Sequence, residues 1–224
     1  KMLKKLYMLF KIGRKLSSSG AISSFYKIYN PPAIVKIVFF IIGFNFANKK
    51  SDSNLSDGAK LCNALQEMGT TFIKLGQFLA TRPDIIGEST SKELEKLQDK
   101  LPAFDVFLAK NILREELGSE NFNQITNISE PIAAASIAQV HFANINISGE
   151  KKEVAIKILR PNVEKVFNEE LDALMFLAYI IQNLVKKTKR LKLVEIVQLL
   201  REITNVEMDF RFEAAAANEL YENT

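Results

Sequence analysis

The chain has 224 residues, with 30 Lys and Arg against 26 Asp and Glu, one His, one Cys and no Trp. At 47% hydrophobic and 25% charged, with only nine Gly and six Pro, it falls outside the collagen-like, low-complexity and disordered classes and has length for one or two cored domains. A single Cys and a single His exclude an internal disulfide and a structural zinc site, and a reduced, intracellular compartment is the weak preference that follows.

Charge is distributed unevenly. The first acidic residue is Asp52, so residues 1–51, with nine Lys and one Arg, carry +10 and the remainder −6. Such a head calls for an anionic partner, phospholipid or nucleic acid. Lys1, Lys4, Lys5, Lys11, Arg14 and Lys15 interleave with Leu3, Leu6, Leu9, Phe10 and Ile12, the pattern of an interfacial amphipathic helix. Residues 33–47 then form an apolar run of 15, broken by Lys36 and Asn45 and short of the roughly 20 a bilayer crossing needs. A buried or partner-facing helix is an equal reading of that run. No small-residue cleavage motif follows it, whereas a basic, Ser-rich transit peptide stays open. The expectation taken forward is peripheral attachment of residues 1–50 to an anionic membrane surface; nucleic acid ranks below it and is not taken as a partner.

Residues 48–57 read as a linker. Leu61, Leu65, Met68, Phe72, Leu75 and Leu79 then recur at helical spacing within about 80° of arc, predicting an amphipathic helix that stops at Thr81-Arg82-Pro83. Thr90 and Glu93 make a capping-box pattern opening a second helix through Leu94, Leu97 and Leu101, ended by Pro102. A third is predicted over Val106 to Leu117, closed by Gly118. From Ile125 to Leu159 the chain is β-branched and alternating; Val154, Ile156 and Ile158 should face one way and Ala155, Lys157 and Leu159 the other. Beyond Pro161 helical periodicity returns, with a basic break at residues 186–190. The segments are 1–50 (basic, membrane-facing), 51–124 (helical extension) and 125–224 (a small sheet with further helices).

Several residues could carry chemistry. Lys157 lies mid-strand in Val154-Ala155-Ile156-Lys157, where an ammonium needs solvent or an anionic partner; a solvent-reaching edge-strand lysine is the plainer reading. Upstream, Ile132-Ala133-Ala134-Ala135-Ser136-Ile137-Ala138-Gln139-Val140 contains no glycine and reads by itself as a packed turn of small residues. Lys74 and Gln77 share the face opposite the apolar stripe, which by default is solvated. Asp209 and Glu213, spaced i, i+4, are a like-charge pair that invites a cation, and Glu207 adds a third carboxylate. His141 reads as structural.

Taken in order, Lys74-Leu75-Gly76-Gln77, Thr81-Arg82-Pro83-Asp84, Leu97-Gln98-Asp99, Ala133 to His141, Val154 to Lys157 with Arg160-Pro161, and Glu207 to Glu213 with Asn218 resemble the UbiB/ABC1/ADCK family of atypical kinase-like proteins, which support ubiquinone biosynthesis. The resemblance covers the chain from about residue 20 onward. It implies an α+β fold, a kinase-like N-lobe preceded by family-specific helices. Lys157 would grip nucleotide phosphates with Glu213 as its helical partner, and Ile132 to Val140 would form the alanine-rich nucleotide loop. Lys74 and Gln77 would be the family's signature pair, with Glu207 neutralising Lys74 and Asp209 completing an acidic motif. ATP or ADP with Mg²⁺ is the implied cofactor. Other ubiquinone-biosynthesis proteins or an isoprenoid lipid are implied partners, at the cytoplasmic face of a bacterial inner membrane or, alternatively, in mitochondria.

The departures bear on activity. A kinase needs a catalytic-loop Asp, a downstream Asn and a later Asp-Phe-Gly that holds Mg²⁺. Here the only His is His141, and Asp209-Phe210 is followed by Arg211. A C-lobe is therefore not expected within these residues, nor are the Mg²⁺ ligands, and the chain by itself is expected not to transfer phosphoryl groups. The rival expectation is a non-catalytic membrane-associated scaffold or truncated relic. No flavin fingerprint or iron-ligand cluster supports a hydroxylase.

Overall fold

The structure is a computed structural model and describes residues 2–18, 33, 36–37, 55–97, 101–147, 149–184 and 186–223. Most of the predicted apolar run at 33–47 and of the linker at 48–57 therefore lies outside the described residues. Contacts divide the chain into two units, residues 1–98 with 164–224, and residues 99–163.

The first unit is helical. Helix α1 (Met2–Ser18) buries Leu9 and Ile12. Helix α2 (Asp57–Met68) opens on Ser56, whose hydroxyl accepts the Ala59 N–H at 3.1 Å, and α3 (Thr70–Ala80) follows after one residue. The sequence predicted one helix here. Gly69 breaks it, at φ +98°, a conformation that L side chains rarely adopt. The apolar stripe nevertheless carries across the break, and Leu65, Met68 and Phe72 all enter the core. Two short helices follow, α4 (Pro83–Ile86), with proline in its first turn, and α5 (Glu88–Leu94). The capping-box reading is corrected, because α5 starts from Gly87 and Thr90 lies buried within it. The Ser91 hydroxyl donates to the Ala80 carbonyl, tying α5 to the end of α3. The rest of the unit is α7 (Val163–Leu184), a 3₁₀ turn (Lys186–Leu191), α8 (Leu193–Met208) and α9 (Phe210–Glu222), so the basic break falls where the sequence put it. Leu9, Leu65, Phe72, Leu94, Leu97 and Leu177 share one core.

The second unit is a small antiparallel sheet with one helix. Helix α6 (Val106–Phe122) is capped by Asp105, whose carboxylate accepts the N–H groups of Phe107 and Leu108 at 2.7 and 3.3 Å. Gly118, at φ +74°, interrupts it where the sequence placed an end. Strands β1 (Ile125–Thr126) and β2 (Pro131–Ala134) pair with one edge of β3 (Ala138–Ile147), and β4 (Glu150–Leu159) pairs with the other along its full length. Ile156 and Ile158 point at Ala109 and Leu113 of α6, while Lys157 on the opposite face is exposed. This is the predicted alternation, and the chain as a whole is the expected α+β fold with a small antiparallel sheet.

Candidate functional site

The alanine-rich segment forms the β2–β3 hairpin. Ala133 pairs with Val140 and Ala134 with Gln139, and the Ala135 N–H donates to the Ala138 carbonyl at 2.8 Å, leaving Ser136 and Ile137 as the turn. No residue from Ile132 to Val140 has a positive φ. The turn therefore makes no demand that only glycine could meet, which is why alanine can stand there. Val140 is in turn the register partner of Lys157, so the lysine's strand runs directly beside the hairpin.

Two polar side chains of β3 face inward. Gln139 and His141 are fully buried. The Gln139 Oε1 accepts the Phe104 N–H at 2.9 Å, and its Nε2 donates both to the Phe104 carbonyl at 3.1 Å and to His141 Nε2 at 2.9 Å. His141 Nδ1 donates to the Ser129 carbonyl at 2.7 Å, an assignment that follows because a carbonyl can only accept. His141 is a structural residue in this arrangement. The Gln139 side chain, counted from sequence among the nucleotide-loop residues, is spent on the Phe104 backbone and the imidazole.

The signature pair lies in the helical unit. Lys74 on α3 meets Glu207 on α8, Nζ to Oε2 at 2.9 Å, with the lysine side chain only 13% exposed. The default reading of a solvated face at Lys74 is corrected, because α8 packs on α3 and covers it. Between Lys74 and Gln77, Gly76 is buried; a Cβ there would sit 2.2 Å from Leu97 Cδ1 and 2.9 Å from Leu65 Cδ1. The glycine is required by the close approach of its neighbours. Gln77 is half-buried on the same helix.

Asp209 departs from the sequence reading. It stands between α8 and α9 at φ −93°, ψ 88°, as the cap of α9, so it does not share a helical face with Glu213. Its carboxylate accepts the Arg211 N–H at 3.1 Å and Nε at 2.7 Å. The hydrogen bonds from the Arg211 side chain hold the carboxyl below the ordinary aspartate range. Aspartate at such a position satisfies an orphan helix N–H better than it extends a helix. Glu213 lies exposed in the first turn of α9.

The predicted residues thus fall into two groups. Ile132 to Val140 and Lys157 are brought together on the sheet; Lys74 and Glu207 are brought together in the helical unit, which also carries Gln77, Asp209 and Glu213. An exposed lysine beside a compact backbone turn suits a phosphate. Among the described residues no three His, Cys, Asp or Glu side chains converge where a metal ion could sit. Sequence reasoning missed the interior of the loop, namely Phe104, the inward Gln139 and Arg160, which it had noted only as half of Arg160-Pro161.

Comparison with known proteins identifies the family. The family model described as ABC1 atypical kinase-like domain matches residues 96–224. A probable protein kinase UbiB of Histophilus somni is 39% identical over 177 residues, 78% of this chain and 32% of the relative. Another, of Pseudomonas aeruginosa, is 39% identical over 170 residues, 75% of this chain and 31% of its own length. That of Vibrio atlanticus is 34% identical over 222 residues, 99% of this chain and 39% of the relative. The chain spans about a third of the length of the curated relatives it matches. No solved structure gave a significant match. With its family model covering more than half of the residues, the chain belongs to the ABC1 atypical kinase-like family.

Proposed function

We propose that this chain is the nucleotide-binding portion of a membrane-associated atypical kinase or ATPase that supports ubiquinone synthesis. The observation that carries the reading is the placement of Lys157 in register with Val140, beside a turn built wholly of residues at negative φ. In this reading Lys157 binds the phosphates of ATP or ADP and Ile132 to Val140 line them. Lys74 and Gln77 act from the signature helix, with Glu207 holding the Lys74 ammonium. A bound nucleotide would supply the transferable phosphoryl group.

Binding of MgADP and MgATP to the 224-residue chain, followed by calorimetry, tests this. Lys157→Ala should weaken binding by about 10- to 100-fold, as loss of a charge-assisted phosphate contact does. Equal affinity in the variant and its parent would overturn the assignment. Neither protein should turn over ATP, since the sequence carries no catalytic-loop Asp after His141.

Membrane attachment rests on α1. No described helix is long and apolar enough to cross a membrane. Leu3, Leu6, Tyr7 and Phe10 form an exposed apolar ridge on the side of α1 away from Leu9 and Ile12. Lys4 is bound to Glu169 at 2.8 Å, and Lys11 and Lys15 lie within electrostatic reach of Glu169 or Glu170. The ridge therefore contributes more to adhesion than the lysine count implies. Co-sedimentation with vesicles containing anionic phospholipid should fall severalfold in Leu3→Glu/Phe10→Glu. Unchanged sedimentation of that variant would remove α1 as the anchor.

A further inference from the structure

Arg160 follows β4 and sits half-buried under the alanine-rich turn. Its guanidinium donates through Nε to the Ala135 carbonyl at 2.9 Å, through Nη1 to the Pro102 carbonyl at 3.0 Å and through Nη2 to the Leu101 carbonyl at 3.2 Å. Its own backbone N–H takes the Ile137 carbonyl at 2.9 Å. The guanidinium carbon lies 5.8 Å from the centre of the Phe104 ring, and Phe104 is the residue whose backbone Gln139 holds from the other side. One side chain thus joins the turn, the strand carrying Lys157 and the segment leading into α6.

We propose that Arg160 is the positioning residue of the nucleotide turn: its guanidinium fixes the Ala135 carbonyl inside the protein and ties the turn, in a single conformation, to the Leu101 and Pro102 carbonyls. This rests on the nucleotide reading above. A carbonyl oxygen repels a phosphate, and a turn free to rotate its peptide units would present carbonyls as readily as N–H groups. The Ile137 carbonyl is already held by the Arg160 backbone N–H, and with the Ala135 carbonyl committed to the guanidinium, rotation of the Ala135–Ser136 peptide unit is blocked as well. The guanidinium also places a permanent positive charge 2.9 Å from the turn. A planar fork is needed for this, because three carbonyls lie along its edges and the compact ammonium of a lysine cannot meet all three.

The test uses the full chain with Arg160→Lys, which keeps the charge and loses the fork, and with Arg160→Ala. Amide hydrogen exchange at residues 135–138 of Arg160→Lys should rise about tenfold or more, matching the loss of one or two charge-assisted bonds, while the β3–β4 ladder from Phe142 to Ile147 keeps its parental rates. MgADP affinity should fall by about tenfold in both variants. Millimolar methylguanidinium should restore part of it in Arg160→Ala and none in Lys157→Ala. Unchanged exchange at the turn overturns the proposal, and so does a uniform rise across the sheet, which would mark Arg160 as a general staple. If the parent chain binds no MgADP, the nucleotide reading falls, and the exchange arm still decides whether Arg160 sets the turn.

Discussion

Gln139→Leu should destabilise the sheet unit by about 3 kcal/mol, because it strands one fully buried and two half-buried polar groups at once, at roughly 1–3 kcal/mol for each that water cannot reach. The Phe104 N–H, the Phe104 carbonyl and His141 Nε2 would all lose their partner. Leucine matches the volume and adds apolar area, so a purely hydrophobic account of this position predicts a neutral or stabilising change. A domain typically has only about 5–15 kcal/mol in hand, so the variant should lose much of its urea resistance. A loss under about 1 kcal/mol in equilibrium unfolding would show that these bonds are replaced by water and that the network does not hold the loop.

Gly76→Val should cost about 3 kcal/mol, at the upper end of the range for overpacking a core. The first carbon added would already meet Leu97 and Leu65, both nearly fully buried, and valine adds two more. Helix propensity works the other way, since valine is a few tenths of a kcal/mol better than glycine in a helix, but this gain is small beside the clash. For a chain of this length the melting temperature should drop by about 6–12 °C. A drop under about 2 °C would mean that Leu97 swings away cheaply and that the glycine between Lys74 and Gln77 is not held by packing.

Much of the fold was legible because it rests on periodicity. The stripe from Leu61 to Leu79 names the core residues correctly, and the alternation from Val154 to Leu159 assigns Lys157 to the exposed face. The break at Gly69 was hidden for the same reason: the 3–4 spacing runs straight through it, so apolar positions alone cannot distinguish one helix from two. At Thr90 a local capping pattern lost to Gly87, whose positive φ starts the helix earlier. The site divides likewise. Lys74 with Glu207 follows from the resemblance and a simple charge argument, and the two side chains do meet. Arg160, Phe104 and the inward Gln139 were not legible, because their partners are carbonyls and N–H groups far along the chain, which leave no mark in composition or spacing.

The break at Asp209 has a mechanical meaning. Glu207 closes α8 and Glu213 opens α9, so the two carboxylates ride on separate levers with one non-helical residue as the joint between them. Turning α9 about the Asp209 backbone would swing Glu213 through an arc while the Lys74–Glu207 clasp on α8 stayed shut. In one continuous helix the same motion would drag both acids together. A motif that reads as a single acidic cluster is, in space, divided by a helix break, with Glu207 in the last turn of one helix and Glu213 in the first turn of the next.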